Sequence, residues 1–265
     1  MTMTTIRAAG EGAGLPLVLL HGFPLDSRMW QEVGELIPGS RAVYAADLPG
    51  TPATAGALPD PPSLDASADH VAELLAGLGV GRAVVVGLSM GGYVALALLE
   101  RHPSLVAGLG LVDTKSAADT AEAAENRLAR AERLERDGTV AEVLPDADSL
   151  LGETTRAARP QVREQVLEWI GEQSPAGLAW AQRAMAARPD RTAALRAYAG
   201  PVAVLVGDED AVTPVAQAEA MVAAAPRASL VVVRGAGHLS AIEEPAGVAT
   251  ALAELARRAD SAAAS

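Results

Sequence analysis

The chain has 265 residues, half of them hydrophobic, which suits one large α/β domain or two small ones and excludes a disordered polymer. Only 3% are aromatic, so the core must be built mainly from Ala, Val and Leu, as helices packed on a sheet permit. A formal charge of −12 repels phosphate backbones and anionic lipid, so neither nucleic acid nor a membrane is an expected partner. Zero cysteines exclude disulfide scaffolds, thiolate catalysis and Cys-type zinc sites, and four scattered histidines leave little for an imidazole metal cluster.

The opening stretch MTMTTIRAAGEGAG has one Arg and no apolar middle, unlike a secretory leader, so a cytoplasmic protein is expected. Short apolar runs rich in Val and Leu follow at residues 17–20, 42–46, 83–86, 109–112, 202–206 and 230–233. None alternates apolar with polar. Continuous runs of this kind mark strands buried on both faces, the pattern of a parallel sheet covered by helices on each side. Helical periodicity fills the gaps at 27–37, 66–78, 91–100, 215–224 and 247–258, so strand and helix alternate. Residues 83–99 are uncharged, but three Gly and a Ser interrupt them, and they fall short of the roughly 20 apolar residues of a membrane span. A strand, a sharp turn and a buried helix are expected there.

The alternation fails between Asp113 and Ala199. Helical stretches at 121–136, 160–170 and 177–187 succeed one another with no convincing strand. Residues 114–199 therefore read as a helical insertion projecting over one edge of the sheet as a lid, with 1–113 and 200–265 forming the core domain. The mixed charges of 127–137 suit a solvated helix face, and the small polar tail 260–265 a frayed end.

The segment Gly87-Leu88-Ser89-Met90-Gly91 is a G-x-S-x-G placed directly after an apolar run and directly before a helical pattern. A Gly-rich chain can produce those five letters by chance, so the position carries the reading. At a sharp strand-to-helix turn the serine backbone is strained, the flanking glycines remove side chains that would collide, and Oγ stands exposed above the sheet. A hydroxyl needs a base to become a nucleophile. His238 is the candidate, in a Gly235-Ala236-Gly237-His238 loop just beyond the last strand run, at the same carboxyl edge as Ser89. His70 and His102 lie inside and at the end of helical patterns and suit ordinary surface roles.

The base needs a carboxylate that fixes its tautomer and stabilises the imidazolium. Asp210 follows the run 202–206 at that edge; Asp208, Glu209 and Asp113 are its rivals, and Asp210 is preferred for the chain order Ser, Asp, His. Acyl transfer also needs donors for an oxyanion. The Met90 N–H follows the candidate nucleophile, and a second donor comes from the His21-Gly22-Phe23 loop, where Gly lets the backbone approach closely. His21 itself reads as a buried hydrogen-bonding residue that shapes this loop.

Five motifs in order, HGFPLD (His21 to Asp26), DLPG (Asp47 to Gly50), GLSMGG (Gly87 to Gly92), GDEDAVTP (Gly207 to Pro214) and GAGHLSAIEEP (Gly235 to Pro245), make the chain resemble the α/β-hydrolase family over nearly its whole length. Within it, the motifs are similar to those of 3-oxoadipate enol-lactonases, carboxylesterases and cofactor-free haloperoxidases or perhydrolases. The resemblance implies an α/β-hydrolase fold: a mostly parallel sheet, helices on both faces and a helical lid insertion. It implies Ser89 as nucleophile, Asp210 as acid, His238 as base, and the Phe23 and Met90 amides as oxyanion hole, with no metal or organic cofactor. Two departures stand out. The family's first antiparallel strands are barely represented before Leu17, implying a shortened sheet edge, and Thr51-Pro52 stands where a second Gly is common.

The expected activity is serine-hydrolase cleavage of a small carboxylic ester or (enol-)lactone. The alternatives are a small-ligand receptor on the same fold, or peracid formation, carbon–carbon bond hydrolysis or lyase chemistry at the same triad. The lid should choose the substrate; Trp169, Trp180, Met185 and Tyr198 are its candidate pocket residues, against a plain packing role for each. Glu243 and Glu244 read as loop residues without chemistry. Oligomeric state is not legible.

Overall fold

A computed structural model describes residues 2–56 and 58–264. In chain order its elements are β1 (Thr2–Arg7), β2 (Leu17–Leu20), a 3-10 turn (Ser27–Trp30), α1 (Gln31–Leu36), β3 (Val43–Asp47), α2 (Leu64–Gly77), β4 (Ala83–Leu88), α3 (Met90–Arg101), a second 3-10 turn (Pro103–Leu105) and β5 (Val106–Val112). Then come α4 (Ala121–Asp137), α5 (Asp146–Leu150), α6 (Glu153–Ala158), α7 (Pro160–Gly171), α8 (Pro175–Ala186), α9 (Thr192–Ala197), β6 (Val202–Gly207), α10 (Val215–Ala224), β7 (Ala228–Val233), α11 (Ser240–Glu243) and α12 (Pro245–Ala263).

The strands form one sheet in the order β1-β3-β2-β4-β5-β6-β7, parallel except for β1. Every residue of β2, β4, β5 and β6 is buried, as uninterrupted apolar runs require. The two edges differ from the sequence reading. Thr2–Arg7 forms an antiparallel edge strand on β3, pairing Thr2 with Asp47 and Thr5 with Tyr44. Its Thr-rich sequence, with only Met3 and Ile6 apolar and a register shift between Thr5 and Arg7, suits a largely exposed edge strand, so the edge is less shortened than expected. At the other edge β7 is largely half-exposed, with Val232 open to solvent.

From β2 the chain crosses to β3 on one side and then returns to β4 on the other. This reversal opens a crevice at the carboxyl ends of β2 and β4, where loops diverge and a ligand can enter. The loops after β2, β3, β4, β5, β6 and β7 all emerge at that rim, carrying His21, Pro49, Ser89, Asp113, Asp210 and His238 respectively.

Six helices, α4 to α9, and no strand fill the connection from β5 to β6 among the described residues. The charges of α4 do more than face solvent. Arg127 bonds Asp119 at 2.7 Å, and Arg130 bonds Asp146 at 2.8 Å while its guanidinium lies 6.0 Å from the Phe23 ring centroid. Asp119 also accepts from Arg188 at 2.6 Å and Lys115 at 3.0 Å, and Arg188 stacks on the Tyr93 ring at 3.9 Å. Burial alone would raise the Asp119 pKa, but the Arg188 and Arg127 guanidiniums hold it well below the usual carboxylate range.

The tail is likewise more ordered than its composition suggests. Helix α12 runs to Ala263, and the Asp260 carboxylate accepts from Leu15 N at 2.9 Å and Arg41 at 2.8 Å. Among the described residues no helix is long and apolar enough to cross a membrane; the uncharged stretch at 83–99 is β4, a turn and buried α3.

Candidate active site

Ser89 occupies the turn between β4 and α3 with φ 51° and ψ −111°. That region is nearly forbidden to a residue with a Cβ and costs on the order of 1–3 kcal/mol. Sterics hold it there. A Cβ on Gly87 would stand 2.1 Å from Gly91 O, and one on Gly91 would stand 2.2 Å from Leu20 O, so strand, turn and helix approach more closely than any side chain allows. Hydrogen bonds lock the turn from both sides: Ser89 N–H donates to Val112 O at 2.9 Å, and Thr114 Oγ1 donates to Ser89 O at 2.8 Å.

The structure brings Ser89, Asp210 and His238 together from three loops. His238 Nε2 lies 2.8 Å from Ser89 Oγ, and Nδ1 lies 2.8 Å from Asp210 Oδ2. With a carboxylate at Nδ1, the proton of the neutral ring sits there, leaving the Nε2 lone pair to accept from the hydroxyl. Asp210 Oδ1 accepts the Val212 and Thr213 amides, each at 2.8 Å, and Thr213 Oγ1 donates to Oδ2 at 2.7 Å. Burial would raise the Asp210 pKa; His238, through hydrogen bond and charge, and Thr213 outweigh it and hold the group ionised below its ordinary value. Thr213 has no part in the sequence reading; the Asx-turn signal there is Asp210 itself, which accepts the amide two residues on, that of Val212.

The rival acids have other partners. Asp208 accepts from Gly235 N at 2.7 Å, and Glu209 accepts from Thr154 N at 2.8 Å and Thr154 Oγ1 at 2.5 Å. Asp113 is fully buried at φ 45° and accepts Gly207 N and Ser240 N, each at 3.0 Å. Burial and the neighbouring Asp210 charge push its pKa up to about 7, against the opposing pull of His238 and the two amides.

The Phe23 and Met90 N–H groups have no acceptor among the described residues. Met90 opens α3, where the first amides of a helix are unpaired and the helix dipole favours negative charge. The loop after β2 is pressed against the elbow, since a Cβ on Gly22 would lie 3.4 Å from Ser89 Cβ. His21 shapes that loop: Leu48 N–H donates to its Nε2 at 2.9 Å, so Nδ1 carries the proton and donates to Gly22 O at 3.1 Å. Burial lowers its pKa and keeps it neutral.

Beside Phe23 and Met90 lies a narrow cleft of only about 10 Å³, walled by Pro24, Leu25, Pro49, Leu178 and Ala181. Its polar neighbours His21, Thr51 and Gln173 already hydrogen-bond within the protein. The Thr51-Pro52 departure is accommodated by Thr54, whose Oγ1 accepts Gly50 N at 3.0 Å and donates to Leu48 O at 2.9 Å.

None of the four pocket residues expected from the sequence lines this cleft. Trp169 faces outward beneath Arg28, 5.5 Å from the ring centroid, beside Glu32 and Glu35. Trp180 is buried and donates to Pro59 O at 2.6 Å, and Met185 is buried against Arg127. Tyr198 donates to Val106 O at 3.2 Å, at the amino end of β5 and therefore across the sheet from Ser89. Large apolar residues in a small-residue chain fill the packing of the insertion. The residues that do line the cleft meet only when α8 closes on the loops after β2 and β3, a contact that no local pattern announces.

A strained serine above a parallel sheet, bonded to a histidine and an aspartate from later loops, defines the hydrolase class of doubly wound folds. The chain belongs to the α/β-hydrolase family: the family model described as "alpha/beta hydrolase fold" matches residues 16–245. It is 31% identical to the pimeloyl-[acyl-carrier protein] methyl ester esterase of Chromobacterium violaceum, over 92% of this chain and 94% of that one. It is 32% identical to the 2-succinyl-6-hydroxy-2,4-cyclohexadiene-1-carboxylate synthase of an Enterobacter species, over 92% and 93%. Among solved structures it is similar to a thermophilic esterase from Thermogutta terrifontis, with a TM-score of 0.88 and 36% identity over 98% of this chain and 100% of that one.

Two expectations follow from the site. Gly87→Ala, which has no room at the elbow, lowers stability by about 2 kcal/mol or more, or roughly 4–8 °C in a thermal melt followed by circular dichroism. Asp113 holds its proton more tightly folded than unfolded, so the stability it contributes is complete in acid and is lost as pH rises from about 4 to about 7. Asp113→Asn lacks that loss, and its melting temperature relative to wild type therefore rises between pH 5 and pH 8.

Proposed function

We propose that the protein is a serine hydrolase that cleaves a small carboxylic ester or lactone through an acyl-enzyme. The observation that carries this reading is the continuous line from Ser89 Oγ through His238 to Asp210, with both links at 2.8 Å. His238 Nε2 takes the hydroxyl proton as Oγ attacks the carbonyl carbon, and Asp210 stabilises the imidazolium that forms. The Phe23 and Met90 amides receive the oxyanion; losing one such donor costs roughly 10²–10³ in rate. Collapse of the tetrahedral species breaks the ester C–O bond, and the imidazolium protonates the departing alkoxide. Water then gives a proton to His238, attacks the acyl carbon and releases the acid and Ser89. For a lactone the departing alkoxide stays tethered to the acyl group.

The relatives support ester chemistry, since one that spans nearly the full chain is named a methyl ester esterase and a structure at 36% identity is an esterase. The helical segment 114–199 acts as the lid in this reading, because Leu178 and Ala181 of α8 roof the cleft beside the oxyanion donors. At about 10 Å³ the cleft is far smaller than the roughly 300–1,000 Å³ of pockets for drug-sized ligands and has mainly apolar walls, which favours a short, uncharged group. A second reading, non-hydrolytic chemistry at the same triad, is favoured by the equally similar synthase relative.

Ser89→Ala is expected to reduce p-nitrophenyl acetate hydrolysis by on the order of 10⁴-fold with little change in the thermal melt. Intact-mass detection of an acyl adduct on Ser89 separates hydrolysis from the second reading; equal turnover by variant and wild type refutes the first. Across p-nitrophenyl esters, kcat/KM should fall by about tenfold or more between butyrate and octanoate, the cleft having no room for the longer chain.

A further inference from the structure

Four successive backbone amides of the loop that carries His238 all donate to fixed, buried acceptors. Gly237 N–H donates to Glu243 Oε1 at 2.9 Å and Leu239 N–H to the same oxygen at 3.2 Å. His238 N–H donates to Leu150 O at 2.8 Å, and Ser240 N–H to Asp113 at 3.0 Å. The other Glu243 oxygen, Oε2, accepts Gly152 N–H at 2.8 Å, from a segment 91 positions away in the insertion. Glu243 has no solvent exposure, although the sequence reads as a loop residue without chemistry.

A carboxylate buried in this way costs several kcal/mol unless both oxygens are occupied by good donors. Here three amides supply them, in charge-assisted bonds stronger than those between neutral groups. The two backbones are also in direct contact, because a Cβ on Gly237 would lie 2.3 Å from Gly152 N, and one on Gly152 would lie 2.8 Å from Gly237 N. The insertion thus rests on the base loop with no side chain between them, and Glu243 is the group bonded to both. Arg159 of the insertion adds a bond to Glu243 O from the other side.

We infer that Glu243 is a positioning residue for the base: its carboxylate fixes the amides on either side of His238 and ties them to the insertion turn at Gly152, so that Nε2 stays on Ser89. The inference rests on His238 being the base of the proposed hydrolase. Glu243 touches neither substrate nor the reacting atoms; it acts on the direction of the imidazole. In Glu243→Gln one oxygen becomes an NH2 that faces a backbone donor, so either the Gly152 tie or the Gly237 and Leu239 pair is lost. Glu243→Ala loses all three.

The experiment compares wild type, Glu243→Gln, Glu243→Ala and the control Thr154→Ala, which removes a hydroxyl bond between the insertion and Glu209, leaves every Glu243 bond in place and, of the base loop, alters only the contact of Thr154 Cγ2 with Gly235. Each protein is titrated with a fluorophosphonate to count competent sites. Labelling rate, kcat and KM for p-nitrophenyl acetate are then expressed per titrated site. Expected are a roughly tenfold fall in kcat and labelling rate for Gln, a larger fall for Ala, KM within about twofold, and a control within about twofold of wild type. A purely structural role lowers the melting temperature and the number of titratable sites but leaves the rate per site unchanged, and that result overturns the inference.

If neither variant folds, amide hydrogen exchange on the wild type decides. Slow, matched exchange at Gly152, Gly237 and Leu239 supports the tie; exchange of Gly237 and Leu239 at the rate of an open loop refutes it. A wild type that neither labels nor turns over fails the hydrolase reading itself, and the inference with it. A wild type that does both while Glu243→Ala matches it per site fails the inference alone.

Discussion

At residue 89 the backbone sits at φ 51° and ψ −111°, a conformation that a serine adopts only under compulsion. The compulsion comes from close packing. Gly87 and Gly91 let β4 and α3 approach each other and the end of β2 until no side chain fits between, and the Val112 and Thr114 bonds hold the turn against relaxation. The strain is about 1–3 kcal/mol, a sizeable part of a typical net stability of 5–15 kcal/mol. It is borne by a sheet whose four central strands have every residue buried. Oγ is not exposed as the sequence suggests: Ser89 is buried, its Oγ bonded to His238, while the Met90 N–H at the start of α3 is left without an acceptor among the described residues.

Around that turn lie two buried carboxyl groups with opposite electrostatics. Asp210 receives two amides, a hydroxyl and the imidazole, and stays ionised. Asp113 is fully buried, receives only two amides and feels the Asp210 charge, so its proton is held up to about pH 7. Like charges that share a dry region push each other's pKa apart. With a pKa of about 7, Asp113 is about half protonated at pH 7, which limits the charge buried beside Asp210. Asp113 still links β6 and α11, because its oxygens bond Gly207 N at the end of β6 and Ser240 N at the start of α11 while its own N–H donates to Leu205 O of β6.

The insertion shares the buried apolar core and is also tied to the core domain by polar and backbone contacts. Arg188, held within the insertion by Asp119, stacks on Tyr93 of α3, while Thr154 bonds Glu209, Gly152 bonds Glu243 and Leu150 bonds His238. Between them α8 descends on the loops after β2 and β3, bounding a short apolar cleft. Few aromatic residues are available to this chain, and most of those in the insertion are spent on packing, as Trp180 and Tyr198 show. The cleft is walled instead by smaller residues such as Leu178 and Ala181.

Chain-local patterns determined much of this protein. Uninterrupted Val and Leu runs marked six of the seven strands, and in β2, β4, β5 and β6 burial on both faces leaves no polar position. The elbow was legible because its glycines are demanded within five residues of one another, and Ser89, Asp210 and His238 were nameable because parallel strands deliver their carboxyl ends to one rim. Strand β1 was missed because a largely exposed edge strand has only a weak apolar signal. Tertiary structure alone decided what surrounds the triad: which residues wall the cleft, that Asp113 lies buried beside Asp210, and that Glu243 binds amides on both sides of His238 and at Gly152. Several of those properties depend on contacts between segments 90 or more positions apart, such as Gly152 with Glu243 and Gly207 with Asp113. Only packing sets such distances, and burial, which governs both pKa and hydrogen-bond strength, does not exist until the chain has closed on itself.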